Sequence, residues 1–308
     1  MPTPSAPTLH EAPRSTAWLL FRSLRPEQWS KNLIVFGGLM FGLRLLDPTS
    51  VLRATAAFFV FCVLSGVVYL MNDIMDRDAD QRHPLKCRRP IASGALSPGT
   101  AGITAIVLGG ISLAASWILG LPFFLVAAAY VTLQALYSGP LKHIVILDVL
   151  TIAFGFVLRA VGGAVVIDVP ISHWLLLDTV LLALFLALSK RRHELTLLAE
   201  GATSHRRILE EYSPYLLDQM IAVVTASTLM GYALYTVSPD TVAKFGTDQL
   251  ALTIPFPLYG IFRYLYLVHQ KKGGGSPSTM LLTDWPLLLC VALWACALVL
   301  IIYRPFLT

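Results

Sequence analysis

Ala54 to Asp80 reads ATAAFFVFCVLSGVVYLMNDIMDRDAD, an uncharged apolar run that ends in a cluster of aspartates. A helix needs about 20 mostly apolar residues to cross the hydrocarbon core, and Ala54–Met71 is close to that length. If the helix continues past Met71, Asn72, Asp76 and Asp80 fall at i, i+4 and i+8 and share one face. The stretch therefore places polar chemistry at the end of a membrane span. Composition agrees: 56% of the 308 residues are hydrophobic and 13% are charged, against roughly 25% charged in a soluble domain. With a mean hydropathy of +0.69, the chain belongs in lipid.

Working outward, further candidate spans are Leu33–Leu46, Ala101–Leu119, Leu121–Tyr137, Ile144–Ile167, Trp174–Ser189, Leu216–Val237, Leu250–Val268 and Leu281–Tyr303. The fold class is all-α, a polytopic membrane protein of about nine transmembrane helices. Gly155, Gly162 and Gly163 are read as points of close helix packing. With the N-terminus inside, eighteen of the 23 Lys and Arg fall on inside segments. Arg44, Arg53, Lys244 and Arg304 fall outside, and Arg159 lies within a span. The positive-inside rule then gives N-in and C-out for an odd count. Cys62, Cys87, Cys290 and Cys296 form no CxxC pair and are read as reduced packing residues. Residues 1–20 are expected to be a flexible cytoplasmic N-terminus without a signal peptide, and residues 21–308 a single transmembrane catalytic domain.

Stacked carboxylates repel and need a cation. Oxygen ligands without His or Cys suit Mg²⁺, which binds one or two carboxylates together with substrate phosphates. Asn72, Asp76 and Asp80 are the candidate ligands, with Asp73 adjacent. A basic run follows, in which Lys86, Arg88 and Arg89 are expected to hold free diphosphate oxygens; Arg can do so bidentately. The competing reading is a solvated, charged helix end with a positive-inside signal.

NxxxDxxxD followed by Arg89-Pro90-Ile91-Ala92-Ser93-Gly94 resembles the UbiA-type intramembrane prenyltransferase superfamily, as does the nine-span layout. The resemblance implies a UbiA-like bundle in which this motif holds Mg²⁺ and the diphosphate of a donor. The Tyr137-x4-Lys142 stretch resembles that family's cytoplasmic Tyr/Lys loop. A typical member carries a second Asp-rich motif after span six. Here Ser189-Lys190-Arg191-Arg192-His193-Glu194-Leu195 stands there instead, so cations replace an acidic pair. This stretch, Arg25–Asn32, Leu147-Asp148-Val149 and Gly155–Ala160 are similar to one branch, the decaprenyl-phosphate phosphoribosyltransferases.

That branch implies phosphoribosyl diphosphate (PRPP) as donor and a polyprenyl phosphate lipid as acceptor, in the supply of cell-wall arabinan precursors. The three phosphate-bearing groups match the surplus of cations. Lys190, Arg191 and Glu194 are assigned to the ribose 5-phosphate or hydroxyls, and Lys31, Tyr137 and Lys142 to either phosphate. Arg159 is costly within a span and is a site candidate by default. Asp148 lies nearer the inside end of the same span. Asp178 is read as structural. Partners are PRPP, the lipid and the membrane, with no nucleic acid; an oligomer is compatible with the sequence. An ordinary prenyltransferase with an aromatic acceptor shares the first motif but would carry the second. An organic-anion transporter would leave the Asp cluster unexplained, and no inverted repeat is visible. The D-G-x2-A-R signature of a CDP-alcohol phosphotransferase is absent.

Overall fold

The computed structural model describes residues 15–84, 86–199, 207–271 and 277–307, and among these no strand occurs. The helices are α1 (Thr16–Ser23), α2 (Gly37–Phe41), α3 (Pro48–Met75), α4 (Arg77–Arg82), α5 (Pro98–Leu119), α6 (Leu121–Ser138) and α7 (Leu147–Val165). They continue with α8 (His173–Ala199), α9 (Pro214–Val237), α10 (Pro239–Phe245), α11 (Pro255–Gln270), α12 (Pro277–Thr283) and α13 (Trp285–Leu307). Seven of them, α3, α5 to α9 and α13, are long and apolar enough to cross a membrane, and the eighth candidate span, Gln249–Gln270, joins a 3-10 turn, Gln249–Thr253, to α11. Several begin on a polar cap followed by proline. Asp47 accepts from the Thr49 and Ser50 amides, Ser97 from Thr100 and Ser213 from Leu216. The cap satisfies orphan N–H groups, and proline lacks the N–H that would be orphaned.

The first expected span, Leu33–Leu46, is not a regular helix. A 3-10 segment, Pro26–Phe36, runs directly into the five-residue α2. A 3-10 helix rises about 2 Å per residue against 1.5 Å in an α-helix, so the two pieces together cover about 30 Å, the thickness of the hydrocarbon core. Their ends touch opposite ends of the bundle. Arg25 pairs with Asp73 at the end of α3, whereas Leu45, just before α3 begins, bonds Tyr303. The ninth crossing is therefore made of irregular backbone.

Such backbone survives at membrane depth only where protein or a cavity surrounds it. Here the segment is wedged between α3 and α7. A Cβ added at Gly163 of α7 would lie 1.9 Å from the Val35 carbonyl oxygen, and one at Gly38 would lie 2.9 Å from the Gly163 oxygen. Backbone meets backbone at this crossing, and a side chain on Gly163 would forbid it.

The crossings α3, α5, α6, α7, α8, α9, α11 and α13 pack in chain order into a ring, and the 3-10 segment with α2 joins its two ends while also lying against α7. The Tyr303 hydroxyl of α13 closes it, donating to Leu39 O and accepting from Leu45 N, both at 3.0 Å. The ring encloses a cavity of about 2160 Å³. Of the expected N-terminal segment 1–20, residues 1–14 lie outside the described residues, and α1 begins at Thr16, capped by Ser15. All four cysteines are free.

Candidate active site

The acidic motif lies at one end of the cavity, and its helix does not run on unbroken. α3 stops at Met75, Asp76 takes φ −91° and ψ 8°, and α4 starts at Arg77. Two backbone bonds nevertheless bridge the break, from Asp76 N to Asn72 O and from Asp80 N to Asp76 O, each 2.8 Å. The i, i+4, i+8 relation thus survives the bend, and Asn72, Asp73, Asp76 and Asp80 all line the cavity. Asp73 and Asp80 are buried, while the Asp76 side chain is 47% exposed.

The protein's own cations hold these acids. Arg89 Nη1 bridges Asp73 Oδ1 at 3.0 Å and Asp80 Oδ2 at 2.6 Å. Arg25 pairs with Asp73 at 2.5 Å, Lys86 lies 3.9 Å from Asp80, and Lys142 lies 3.7 Å from Asp76. Ser138 donates to Asn72 Oδ1 at 2.6 Å. His83 also lines the cavity, and burial followed by the Lys86 charge pushes its imidazole below the usual range.

Arg88 departs from expectation, being exposed and outside the cavity lining. Lys86–Arg88 is a 3-10 turn, with Arg89 N bonded to Lys86 O. At three residues per turn Lys86 and Arg89 share a face and Arg88 does not. The donors at this end fit a hard cation: amide and carboxylate oxygens of Asn72, Asp76 and Asp80. No group of three His, Cys, Asp or Glu among the described residues forms a complete ligand set. A metal there would take its remaining oxygens from phosphate and water, as Mg²⁺ commonly does.

The basic stretch at the end of α8 divides into two roles. Lys190 and Glu194 line the cavity, 3.9 Å apart on the expected i, i+4 face. Arg191 and Asp148, expected to contact substrate, do not line it. Arg191 is 1% exposed and Asp148 0%. Arg191 Nε donates to Asp148 Oδ2 at 2.9 Å, Nη1 to Glu194 Oε2 at 2.8 Å, and Nη2 to the Tyr137 hydroxyl at 3.4 Å. Asp148 also accepts from the Tyr212 hydroxyl at 2.7 Å, which in turn accepts from Ile146 N at 2.8 Å. A buried charge survives only when paired and hydrogen-bonded, and this network meets that condition. Arg191 and Asp148 are scaffold: they lock α7 to α8 and orient Glu194 and Tyr137, which do line the cavity along with Lys142.

Deeper in, Arg159 is 6% exposed and lines the cavity. It donates to Asn32 Oδ1 at 2.6 Å, Gly155 O at 2.9 Å and the Tyr130 hydroxyl at 2.8 Å. Lys31 and Gln134 line the same cavity. Tyr130, Gln134, Ser138 and Tyr212 were not singled out from sequence, and Arg25 and Asn32 were quoted only as the ends of the Arg25–Asn32 stretch, with no site role. A polar residue in an apolar run was the available signal at Tyr130 and Gln134. Asp178, read as structural, also lines the cavity, and its buried Oδ1 has no hydrogen-bond partner among the described residues.

A sequence model of the UbiA prenyltransferase family matches residues 33–288. A decaprenyl-phosphate phosphoribosyltransferase of Corynebacterium glutamicum is 31% identical over 302 residues, covering 95% of this chain and 89% of that protein. One from Mycolicibacterium smegmatis is 32% identical, covering 92% of each. Among solved structures, a UbiA homologue from Archaeoglobus fulgidus bound to GPP and Mg²⁺ is similar with a TM-score of 0.70 at 18% identity, covering 92% of this chain and 99% of that one.

Proposed function

This chain belongs to the UbiA prenyltransferase family, and from that premise we propose that it transfers the 5-phosphoribosyl group of PRPP to a membrane polyprenyl phosphate, releasing diphosphate. The observation that carries the proposal is Lys190 with Glu194 at the cavity wall, where a diphosphate-binding relative would present a second acidic pair. Together with Arg25, Lys86, Arg89 and Lys142, it gives the cavity more cations than one donor diphosphate requires. The near full-length relatives bear the name of the same activity.

In this reading a lipid phosphate oxygen attacks C1 of the ribose as the C1–O bond to diphosphate breaks. Displacement inverts C1 and gives a β-linked phosphoribosyl lipid. The nucleophile is already an anion at neutral pH, so no strong general base is needed. Asn72, Asp76 and Asp80 would hold Mg²⁺, which when bound neutralises charge developing on the leaving diphosphate. Arg89 and Lys86 exchange their carboxylate partners for diphosphate oxygens, and Arg25 keeps Asp73 paired when Arg89 leaves it. Lys190 and Glu194 meet the ribose 5-phosphate or hydroxyls, and Lys142 and Tyr137 close the same wall. The acidic end of the bundle is assigned to the cytoplasmic side of the cell membrane, the side favoured by the basic residues.

The test is incubation of purified protein with Mg²⁺, PRPP and a polyprenyl phosphate, followed by mass spectrometry of the lipid. A phosphoribosyl lipid that disappears with EDTA and with Asp76→Ala supports the proposal. Prenylated product from a parallel reaction with polyprenyl diphosphate and 4-hydroxybenzoate, with no phosphoribosyl lipid, would overturn it in favour of an ordinary prenyltransferase.

A further inference from the structure

Two cations in the middle of the bundle have no counter-ion within ion-pair distance among the described residues. Arg159 lies about 18 Å along α7 from Leu147, and its partner Asn32 bonds Ser65, about 15 Å back along α3 from Met75, at 1.5 Å per residue. Both positions are near the centre of a hydrocarbon core about 30 Å thick. Lys31 immediately precedes Asn32, whose Oδ1 accepts from Arg159 at 2.6 Å, so the two cations lie on neighbouring positions of the same cavity wall. Among the described residues, neither Lys31 nor Arg159 has a carboxylate within ion-pair distance. Asp73 is already taken by Arg25 and Arg89.

Arg159 is also held in one orientation. Asn32, 1% exposed, donates through Nδ2 to Cys62 Sγ and Ser65 Oγ, which leaves its Oδ1 for Arg159 Nε. The guanidinium lies 4.7 Å from the Tyr130 ring centroid and 5.2 Å from that of Phe156. Every oxygen it meets is neutral, and two of its five N–H groups remain after these three bonds. An intramembrane charge is costly unless paired, and two adjacent charges of one sign cost more. A prenyl chain lying here would bury hydrocarbon against both.

We propose that Lys31 and Arg159 form a deep anion subsite for a phosphate monoester, separate from the diphosphate seat at the acidic motif. This rests on the phosphoribosyl-transfer reading and supplies the third phosphate position which that reading requires. Two sources share the chemistry: the lipid acceptor's phosphate and the ribose 5-phosphate. The apolar wall that follows Lys31 in the same segment, Ile34, Phe36 and Met40, suits the lipid.

The experiment is equilibrium binding of farnesyl phosphate, farnesol and ribose 5-phosphate, each alone, to wild type, Lys31→Met, Lys31→Arg and Arg159→Lys in detergent. Removing a charge-assisted bond is expected to weaken phosphate binding by about 10- to 100-fold in Lys31→Met. Lys31→Arg should keep most of the affinity, and farnesol binding should not change. Loss confined to farnesyl phosphate assigns the lipid phosphate, and loss confined to ribose 5-phosphate assigns the donor. Unchanged affinity for both phosphates in folded Lys31→Met, as judged by gel filtration and melting, overturns the subsite. Should Lys31→Met not fold, equal wild-type affinity for farnesyl phosphate and farnesol overturns it. These assays involve no turnover, so their failure is distinct from a wild type that makes no phosphoribosyl lipid.

Discussion

Replacing Asp148 with Ala should destabilise the protein without removing any group from the cavity wall. The Asp148 side chain is 0% exposed and that of Arg191 2%, so water cannot compensate for the lost carboxylate. Truncating one partner of a buried pair costs about 3–5 kcal/mol. Arg191 retains Glu194 at 2.8 Å, and the Tyr212 hydroxyl retains Ile146 N, which favours the lower end, about 3 kcal/mol. At about 2 °C per kcal/mol for a large domain, the melting temperature in detergent should fall by about 6 °C. Arg191→Met should cost a similar amount, because it leaves Asp148 buried and charged. The double variant should cost clearly less than the sum, since no orphan charge remains. Thermal unfolding of the four proteins, followed by tryptophan fluorescence, gives the full cycle. Single variants that melt within 1 °C of wild type, or strictly additive losses, would refute the claim that this pair locks α7 to α8.

Arg89→Met breaks both carboxylate bridges and is expected to raise the KM for PRPP about 10- to 100-fold, while Arg88→Met, off the cavity face, should leave it within about twofold; steady-state kinetics decides. Gly163→Ala drives a Cβ to 1.9 Å from the Val35 carbonyl, and because the obstacle is backbone the cost should exceed the usual 1–3 kcal/mol of overpacking; the expected outcome is loss of monodisperse protein on gel filtration. Arg263 holds the Asp284 carboxyl below its ordinary range through a hydrogen bond. Unfolded Asp284 therefore binds its proton first as pH falls, so the pair's contribution is full above the ordinary carboxylate pKa of 3.8 and is lost as pH drops through the lower folded value. The melting points of Asp284→Asn and wild type should differ at pH 7 and converge under strong acid.

Local patterns made the span positions legible. Seven of the nine expected crossings are regular helices, and an eighth joins a 3-10 turn to α11, because each holds enough apolar residues to bury its backbone in lipid. The acidic motif was equally legible, since i, i+4 spacing survives the bend at Asp76 through two backbone bonds. Arg88 was misplaced because sequence gives the order of a basic run but not whether the turn repeats every three residues. Arg191 and Asp148 looked like substrate contacts, yet each found its partner across a helix interface, and no spacing rule reports such a pairing.

What the sequence determined by itself was the solvent and the local chemistry: lipid for the spans, oxygen donors and cations for the end of α3. Those follow from residue type and nearest-neighbour spacing alone. Tertiary structure decided which charges remain for a ligand. Arg191 is consumed by Asp148 and Glu194, whereas among the described residues neither Arg159 nor Lys31 has a carboxylate within ion-pair distance. It also turned the first crossing into a 3-10 segment against Gly163. Both outcomes depend on distances between segments far apart in the chain, which are set only when the ring closes.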